Sequence, residues 1–374
     1  MARALETASI GGRQRLVDWP LLVVTVSLCV VGLLTLYSAA GSPLLEGAPR
    51  AFTRQVVYMG LGLGLMVAAA AVPPRLYERC AYGALGVTLL LLLVVLLVGP
   101  VRGGAQRWLP LGAFSLQPSE LAKLSLVLAA ARYFAAQSRP QGWNLRDLLF
   151  PTAMLLLPTA LLVFKGPDLG TTLFLCSVYG VMVFVVGLRW RSLLMLVLVA
   201  GLAAPLAYVH VLGDYQRDRV DALLSPDADP KGHGYQAIQG RYAIGSGRLL
   251  GKGFGNNTQG RLRFLPEQHT DFIFSVFAEE RGYVGCVALL LLYFTYMLCG
   301  LWIAWHARDR FGALLCAGIV AVFFCHVCIN LGGVLGLLPI TGVTLPFMSY
   351  GGSSVLTMLV GSGMLWSVSV RGAA

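Results

Sequence analysis

The chain reads as an all-α polytopic membrane protein of about ten transmembrane helices. Of its 374 residues, 57% are hydrophobic and only 12% are charged. Mean hydropathy is +0.74. Soluble domains carry about twice that share of charge. Apolar runs of spanning length recur near 19–40, 53–73, 80–99, 117–136, 147–164, 168–188, 190–211, 272–304, 311–338 and 345–369. In lipid each run must satisfy its backbone internally, so each is expected to be a helix.

The first run, about Trp19 to Ala40, is long enough to span and lacks a convincing cleavage site, so no removed signal peptide is expected. An even number of spans puts both termini on one side, and basic residues say which. Arg3, Arg13 and Arg15 precede the first run. Arg75 and Arg79 separate the second from the third, and Arg132, Arg139 and Arg146 follow the fourth. Arg189, Arg191, Arg308, Arg310 and Arg371 fall on the same side. The opposite short loops hold Arg50, Arg54, Arg102, Arg107 and Lys165. By the positive-inside rule both termini are cytoplasmic. The long loop between the seventh and eighth spans, 212–270, then faces outside.

The chain is expected to be a single membrane domain, residues 1–374, with that loop inside it. Asp214 to Pro230 reads as a short amphipathic piece. The Gly-, Gln- and Asn-rich stretch from Gly232 to Gly260 reads as a flexible, re-entrant or surface-lying loop. It holds no G-x-x-x-x-G-K-[ST] pattern, which excludes a nucleotide P-loop. The net charge of +11 would suggest nucleic acid in a soluble protein. Here it reads as cytoplasmic anchoring and contacts to anionic lipid or substrate, so membrane lipids and no nucleic acid are the expected partners. The eight cysteines read as small packing residues. Cys325 and Cys328 have C-x-x-C spacing but sit mid-helix without a second ligand pair, so no metal or redox role is assigned.

Ionisable residues are scarce, and they cluster. Phe264-Leu-Pro-Glu-Gln-His-Thr-Asp-Phe-Ile-Phe274, with Glu279 and Glu280 just beyond, gathers Glu267, His269 and Asp271 where the long loop enters the eighth span. A carboxylate there is partly desolvated, which raises its pKa and suits it to act as a base near neutral pH. Thr270 or Asp271 could instead simply cap the helix. In the fourth span Glu120 and Lys123 are three apart and can pair, either as a structural ion pair or toward a substrate. Asp168 follows a break at Lys165-Gly-Pro and reads first as the cap of the sixth span. Lys165, Arg107, Arg261 and Arg263 are candidate anion contacts. Gly342 to Ser354, rich in Gly and Ser, suits close approach of backbone to a helix or ligand. His326 and Asn330 share one helical face and are expected to hydrogen-bond other helices.

These motifs together resemble the SEDS family (shape, elongation, division and sporulation). The resemblance rests on Gln117-Pro-Ser-Glu-Leu-Ala-Lys123, Pro167-Asp-Leu-Gly-Thr171, Phe264 to Phe274, Ala278-Glu-Glu280 and Leu345-Pro-Phe-Met-Ser-Tyr-Gly-Gly-Ser-Ser354, in family order. Asp18-Trp19, Phe264-Leu-Pro-Glu267 and the short N-terminal tail lean toward the elongation branch, with the division branch as the alternative. Arg281 and Ser275 depart from the common pattern, where an apolar residue and alanine are more usual.

The resemblance implies a peptidoglycan glycosyltransferase that polymerises lipid II outside the bacterial cytoplasmic membrane. It implies a class B penicillin-binding protein and other elongation-complex proteins as partners, and this chain shows no Ser-x-x-Lys transpeptidase domain of its own. It maps the family's essential loop acid onto Asp271, its helix-four pair onto Glu120 and Lys123, and a further acid onto Asp168. On that basis Asp271 is the expected general base and polyprenyl pyrophosphate the leaving group of an inverting displacement. Lys123, Lys165, Arg107 and Arg263 are candidates for the pyrophosphate, and a divalent cation, Mg or Mn, could assist. A lipid II flippase is the rival from a different class, because intramembrane charges also suit a transporter.

Overall fold

The computed structural model describes residues 17–40, 50–102, 105–112, 114–137, 139, 141–166, 168–210, 212–225, 233–258 and 267–372. The N-terminal arginines, Pro167, Arg261 and Arg263 lie outside them. Among the described residues, nine helices are long and apolar enough to cross a membrane. They are α1 (Trp19–Ala39), α2 (Arg50–Ala71), α3 (Pro74–Val98), α5 (Leu145–Lys165), α6 (Leu169–Gly187), α7 (Trp190–His210), α10 (Ile273–Trp305), α11 (Arg310–Leu335) and α12 (Gly352–Arg371). The tenth expected span is α4 (Pro118–Ala136). It is less apolar because it carries Glu120, Lys123 and Arg132, and it compensates by burying 14 of its 19 residues, Glu120 and Lys123 among them, inside the bundle.

Local chemistry sets several boundaries. Asp18 Oδ1 accepts from the Leu21 amide at the start of α1. Proline opens α3 and α4, where its missing N–H costs nothing. Pro74 starts α3 six residues before the apolar run, so Arg75 and Arg79 belong to its first turns and not to a loop. In α5, Pro151 and Pro158 bracket a π-helical turn at Thr152–Leu156, because neither proline can donate to the ladder.

The loop regions carry structure that periodicity alone did not show. Between α3 and α4 run two small hairpins, β1 (Val101–Arg102) with β2 (Ala105–Gln106), and β3 (Leu109–Leu111) with β4 (Phe114–Leu116). The expected amphipathic piece is α8 (Asp214–Leu224). Arg217 pins it to the open end of α7, donating to the Tyr208 and Val209 carbonyls at 3.0 and 2.7 Å. The Gly-rich stretch departs from the expected loop, since its first half is a helix, α9 (His233–Ser246), packed on α10. Some of its glycines serve contact rather than flexibility: Gly240 lies so close to Phe272 that a Cβ would stand 2.8 Å from the ring. The run expected to open the tenth span at 345 is irregular until Gly352.

Helices α4 and α11 form the centre, with α6, α10 and α12 around them and α2 against α12. Helix α7 is the opposite case. Leu194, Val197, Leu198, Leu202 and Leu206 along it are all exposed, as a lipid-facing helix requires. Ser369 of α12 bonds Asp18 at the start of α1, and Arg371 donates to the last carbonyls of α2. The beginning of α1 and the end of α12 therefore meet at one end of the bundle. Gln268 donates to Ala39 O at the end of α1, so the Glu267–Asp271 segment sits at the other end.

Helix α10 is broken at Gly282, which has φ 65° and ψ −167°. The break is closed by the segment after α9. Lys252 and Gly253 amides donate to the Glu279 and Glu280 carbonyls at 2.9 and 3.0 Å. Tyr283 and Val284 amides donate in return to Arg248 and Leu249 at 2.9 and 3.1 Å. Two chain segments thus satisfy each other's open ends. Contact this close needs glycine on both sides, since a Cβ on Gly251 would stand 2.2 Å from the Glu280 carbonyl. Gly251 also has φ +79°. We expect Gly251→Ala to destabilise the protein by about 2–3 kcal/mol, from backbone strain and collision together. Gly245→Ala, in α9 with open space around it, should change stability by less than about 0.5 kcal/mol. Thermal unfolding in detergent compares the two.

Candidate active site

Glu279 and Glu280 are occupied with holding this junction. Glu279 Oε1 accepts from Lys252 Nζ at 2.5 Å and from the Thr258 amide at 3.0 Å. Glu280 Oε1 accepts from Asn257 Nδ2 at 2.8 Å and from Ser38 of α1. Both side chains are buried. Of the acidic cluster, Glu267 and Asp271 therefore remain for chemistry.

Asp271 sits two residues before α10. The N-cap position is Phe272, with no side-chain cap bond, so neither Thr270 nor Asp271 caps the helix. Thr270 Oγ1 instead donates to Glu267, to its carbonyl at 3.2 Å and its Oε2 at 3.1 Å. The backbone around Asp271 is held by the segment before α12. Asn330 Nδ2 of α11 donates to both Asp271 O at 3.1 Å and Val343 O at 2.8 Å. Ser349 Oγ donates to Thr270 O at 2.7 Å, and the Tyr350 amide to His269 O at 2.8 Å. The Gly342–Ser354 stretch thus provides the close backbone approach its composition suggested.

The Asp271 carboxyl is half-buried in a small cleft with Asn330, Gly342 and Val343. Desolvation is the main cause raising its pKa to about 6. The nearby Glu267 charge adds to the rise, while Arg219 of α8 and Arg107 oppose it. Burial also pushes His269 below the usual imidazole range, against the pull of Glu267. At neutral pH the site thus presents an ionised carboxylate that binds a proton readily, beside a neutral histidine.

Cations flank this carboxylate. The β2–β3 turn carries Arg107, whose Nε lies 3.6 Å from Asp168 Oδ2. Asp168 caps α6 as its position suggested: Oδ1 accepts from the Thr171 amide at 3.2 Å and Oδ2 from Thr171 Oγ1 at 2.8 Å. An adjoining cleft, which shares Gly333 and Ile340 with that of Asp271, holds Arg219 and Arg241. Sequence reasoning named Arg107 but not Arg219 or Arg241. Their signal was faint: α8 reads as an amphipathic piece, and nothing in its pattern says which face meets the Asp271 cleft.

The other candidates are placed differently. Lys165 ends α5 exposed, with no ion pair among the described residues. Glu120 and Lys123 are buried in the bundle, 2.6 Å apart. Lys123 Nζ also lies 3.0 Å from His326 Nε2 and 4.6 Å from the centre of the Phe174 ring. His326 Nδ1 is 2.8 Å from the Thr344 carbonyl, which can only accept, so Nδ1 carries the proton and Nε2 accepts from Lys123. The pairing expected from their spacing is thus made inside the bundle. It locks α4 to α11 and, through Thr344, to the segment that holds Asp271.

The protein is thus a multi-pass membrane protein whose bundle carries a desolvated carboxylate among arginines at one end. A family model described as "Cell cycle protein", which groups FtsW, RodA and SpoVE, matches residues 19–373. The chain belongs to this family. It is 39% identical over 351 residues to the peptidoglycan glycosyltransferase MrdB of Escherichia coli K12, covering 94% of this chain and 93% of that one. It is 37% identical over 361 residues to the probable peptidoglycan glycosyltransferase FtsW of Geobacter metallireducens, covering 95% of each. Among solved structures it matches a chain of a peptidoglycan synthase complex that coordinates polymerization and crosslinking. There the TM-score is 0.80 at 36% identity, over 95% of this chain and 98% of that one.

Proposed function

We propose that this chain is a peptidoglycan glycosyltransferase of the RodA type, polymerising lipid II with Asp271 as general base. The observation that carries the assignment of the base is the desolvated Asp271 carboxyl, titrating near 6, with Arg107 and Arg219 beside it. Asp271 takes the proton from the acceptor sugar's 4-hydroxyl as that oxygen attacks the donor's anomeric carbon. The bond to the polyprenyl pyrophosphate breaks and the centre inverts. The leaving group needs charge neutralisation more than a proton, and Arg107 and Arg219 are placed to provide it. Lys123 is already neutralised by Glu120, so its contribution is to position the site.

Among the described residues no group of three or more His, Cys, Asp or Glu side chains is arranged to hold a metal. Mg²⁺ bound through one or two carboxylates and substrate phosphates needs no such cage, and Glu267, leaving Asp271 free as the base, meets that lesser requirement. Such an ion, when bound, would neutralise diphosphate charge.

The start of α1 and the end of α12, with Arg371, meet at one end of the bundle, which supports a cytoplasmic location for that end and an outer face for Asp271 in a bacterial inner membrane. A class B penicillin-binding partner would supply crosslinking, in keeping with the synthase-complex relative. The 37% identity to an FtsW favours division as the second reading of the cellular role.

The test uses purified protein with lipid II and a divalent cation in detergent, with and without the partner. Glycan strands resolved on a gel are expected. Polymer-free reactions from folded protein, together with lipid II movement across vesicles, would move the assignment to a flippase. The rate should rise about tenfold per pH unit up to pH ~6 and then level off, since the base must be ionised. Glu267→Gln should move that acid limb to lower pH, because it removes the neighbouring charge that raises Asp271. A limb that stays in place would contradict the assignment.

A further inference from the structure

The break in α10 creates a second site, away from Asp271. Between α1 and α10 runs a groove of about 290 Å³, lined by Val31, Leu34, Ala288, Leu289 and Leu292, with Arg281 at its mouth. Its depth can be placed. From Gly282 to Trp305, α10 spans ~35 Å at 1.5 Å per residue, close to the hydrocarbon thickness of a bilayer. Gly282 therefore lies at one membrane edge and Arg281 at headgroup level. The Leu34 end of the groove lies near the end of α1 at that same edge, and the Val31 and Leu292 end reaches down toward the acyl chains.

Arg281 is exposed, and the described residues give it no ion pair. Its guanidinium carbon lies 5.6 Å from the centre of the Phe254 ring. Glu280 also borders the groove, but its Oε1 is taken up by Ser38 and Asn257. Gly285 lets the Arg281 side chain lie close over it, since a Cβ there would stand 2.3 Å from Arg281 Cβ. An arginine at a membrane edge can merely snorkel. Here it stands over an apolar channel, and one guanidinium matches one phosphate.

We propose that the groove binds one anionic glycerophospholipid, its phosphate on Arg281 and an acyl chain between α1 and α10. A polyprenyl pyrophosphate carries more charge than this single cation neutralises, which favours the phosphodiester. The site joins the α10 break to the lipid around it, so occupancy would brace the junction that Glu279 and Glu280 hold.

The test reconstitutes the full chain in phosphatidylcholine bilayers containing a quarter phosphatidylglycerol, then counts retained lipids by native mass spectrometry. Wild type should keep one phosphatidylglycerol in preference to phosphatidylcholine. Arg281→Gln should lower that preference about tenfold, the worth of one charge-assisted contact. Ala288→Trp should fill the groove and abolish retention of either lipid, whereas Leu97→Trp, on an exposed lipid-facing position of α3, should not. A photoactivatable phosphatidylglycerol should label the 285–292 stretch. Equal retention of the two lipids by wild type, or unchanged preference in Arg281→Gln, would overturn the proposal. So would displacement of phosphatidylglycerol by equimolar undecaprenyl pyrophosphate, or a co-purified polypeptide that blocks the labelling.

Discussion

Replacing Asp271 by asparagine is expected to lower lipid II polymerisation by about 10³-fold or more, while the protein becomes more stable. The activity loss follows from removing the general base, a contribution of about 10²–10⁴. The stability gain follows from the same desolvation. The Asp271 pKa is about 6 in the fold against 3.8 for the free side chain. The folded state therefore binds the proton more tightly, and stability falls as pH rises from about 4 to 6. Above that window the ionised carboxylate disfavours the fold at 1.36 kcal/mol per pKa unit. With the carboxyl only half-buried, the discounted figure is about 2 kcal/mol. Asparagine has the same shape and no charge. Its gain should be full at pH 7.5 and vanish near pH 4, as read by thermal unfolding across that range. An inactive but less stable variant would mean that Asp271 serves the fold, and a fully active one would remove it from the chemistry.

Much of this site was legible because a membrane chain has few ionisable residues. When charge is costly, each remaining carboxylate narrows the choice, and Asp271, Glu120, Lys123 and Asp168 all stood out for that reason. The cap at Asp168 and the pair at Glu120 and Lys123 follow from spacings of three along a helix. Two things lay beyond local pattern. The first is which side chains meet across the bundle. Asn330 reads as a helix-packing residue, and nothing near it in sequence says that it grips the carbonyls of Asp271 and Val343. The second is structure in glycine-rich segments. Gly240 and Gly251 look like flexibility in the sequence, yet both are contact points where a Cβ would collide. The same composition serves a mobile loop and a tight interface, and only the partner distinguishes them.

The second large effect is expected at the buried ion pair. Lys123→Met should destabilise the protein by about 3–5 kcal/mol, because it leaves Glu120 charged and unpartnered inside the bundle. Glu120 Oε2 already has no hydrogen-bond partner there, so the carboxylate depends on Lys123 through Oε1. His326 Nε2 would lose its donor as well. Adding Glu120→Gln should recover a large part of the loss, since a neutral amide costs less to bury and can donate toward His326 or a neighbouring carbonyl. The recovery separates two roles for the pair. If Lys123 and Glu120 act only by fixing α4 against α11 and Thr344, the double variant should regain polymerisation as it regains stability. If Lys123 contacts the pyrophosphate, stability should return and activity should not. Thermal unfolding and the glycan gel, run on the same three preparations, give both readings. The geometry supports the first outcome, because an ammonium already shared between Glu120 and His326 has little left to offer a substrate.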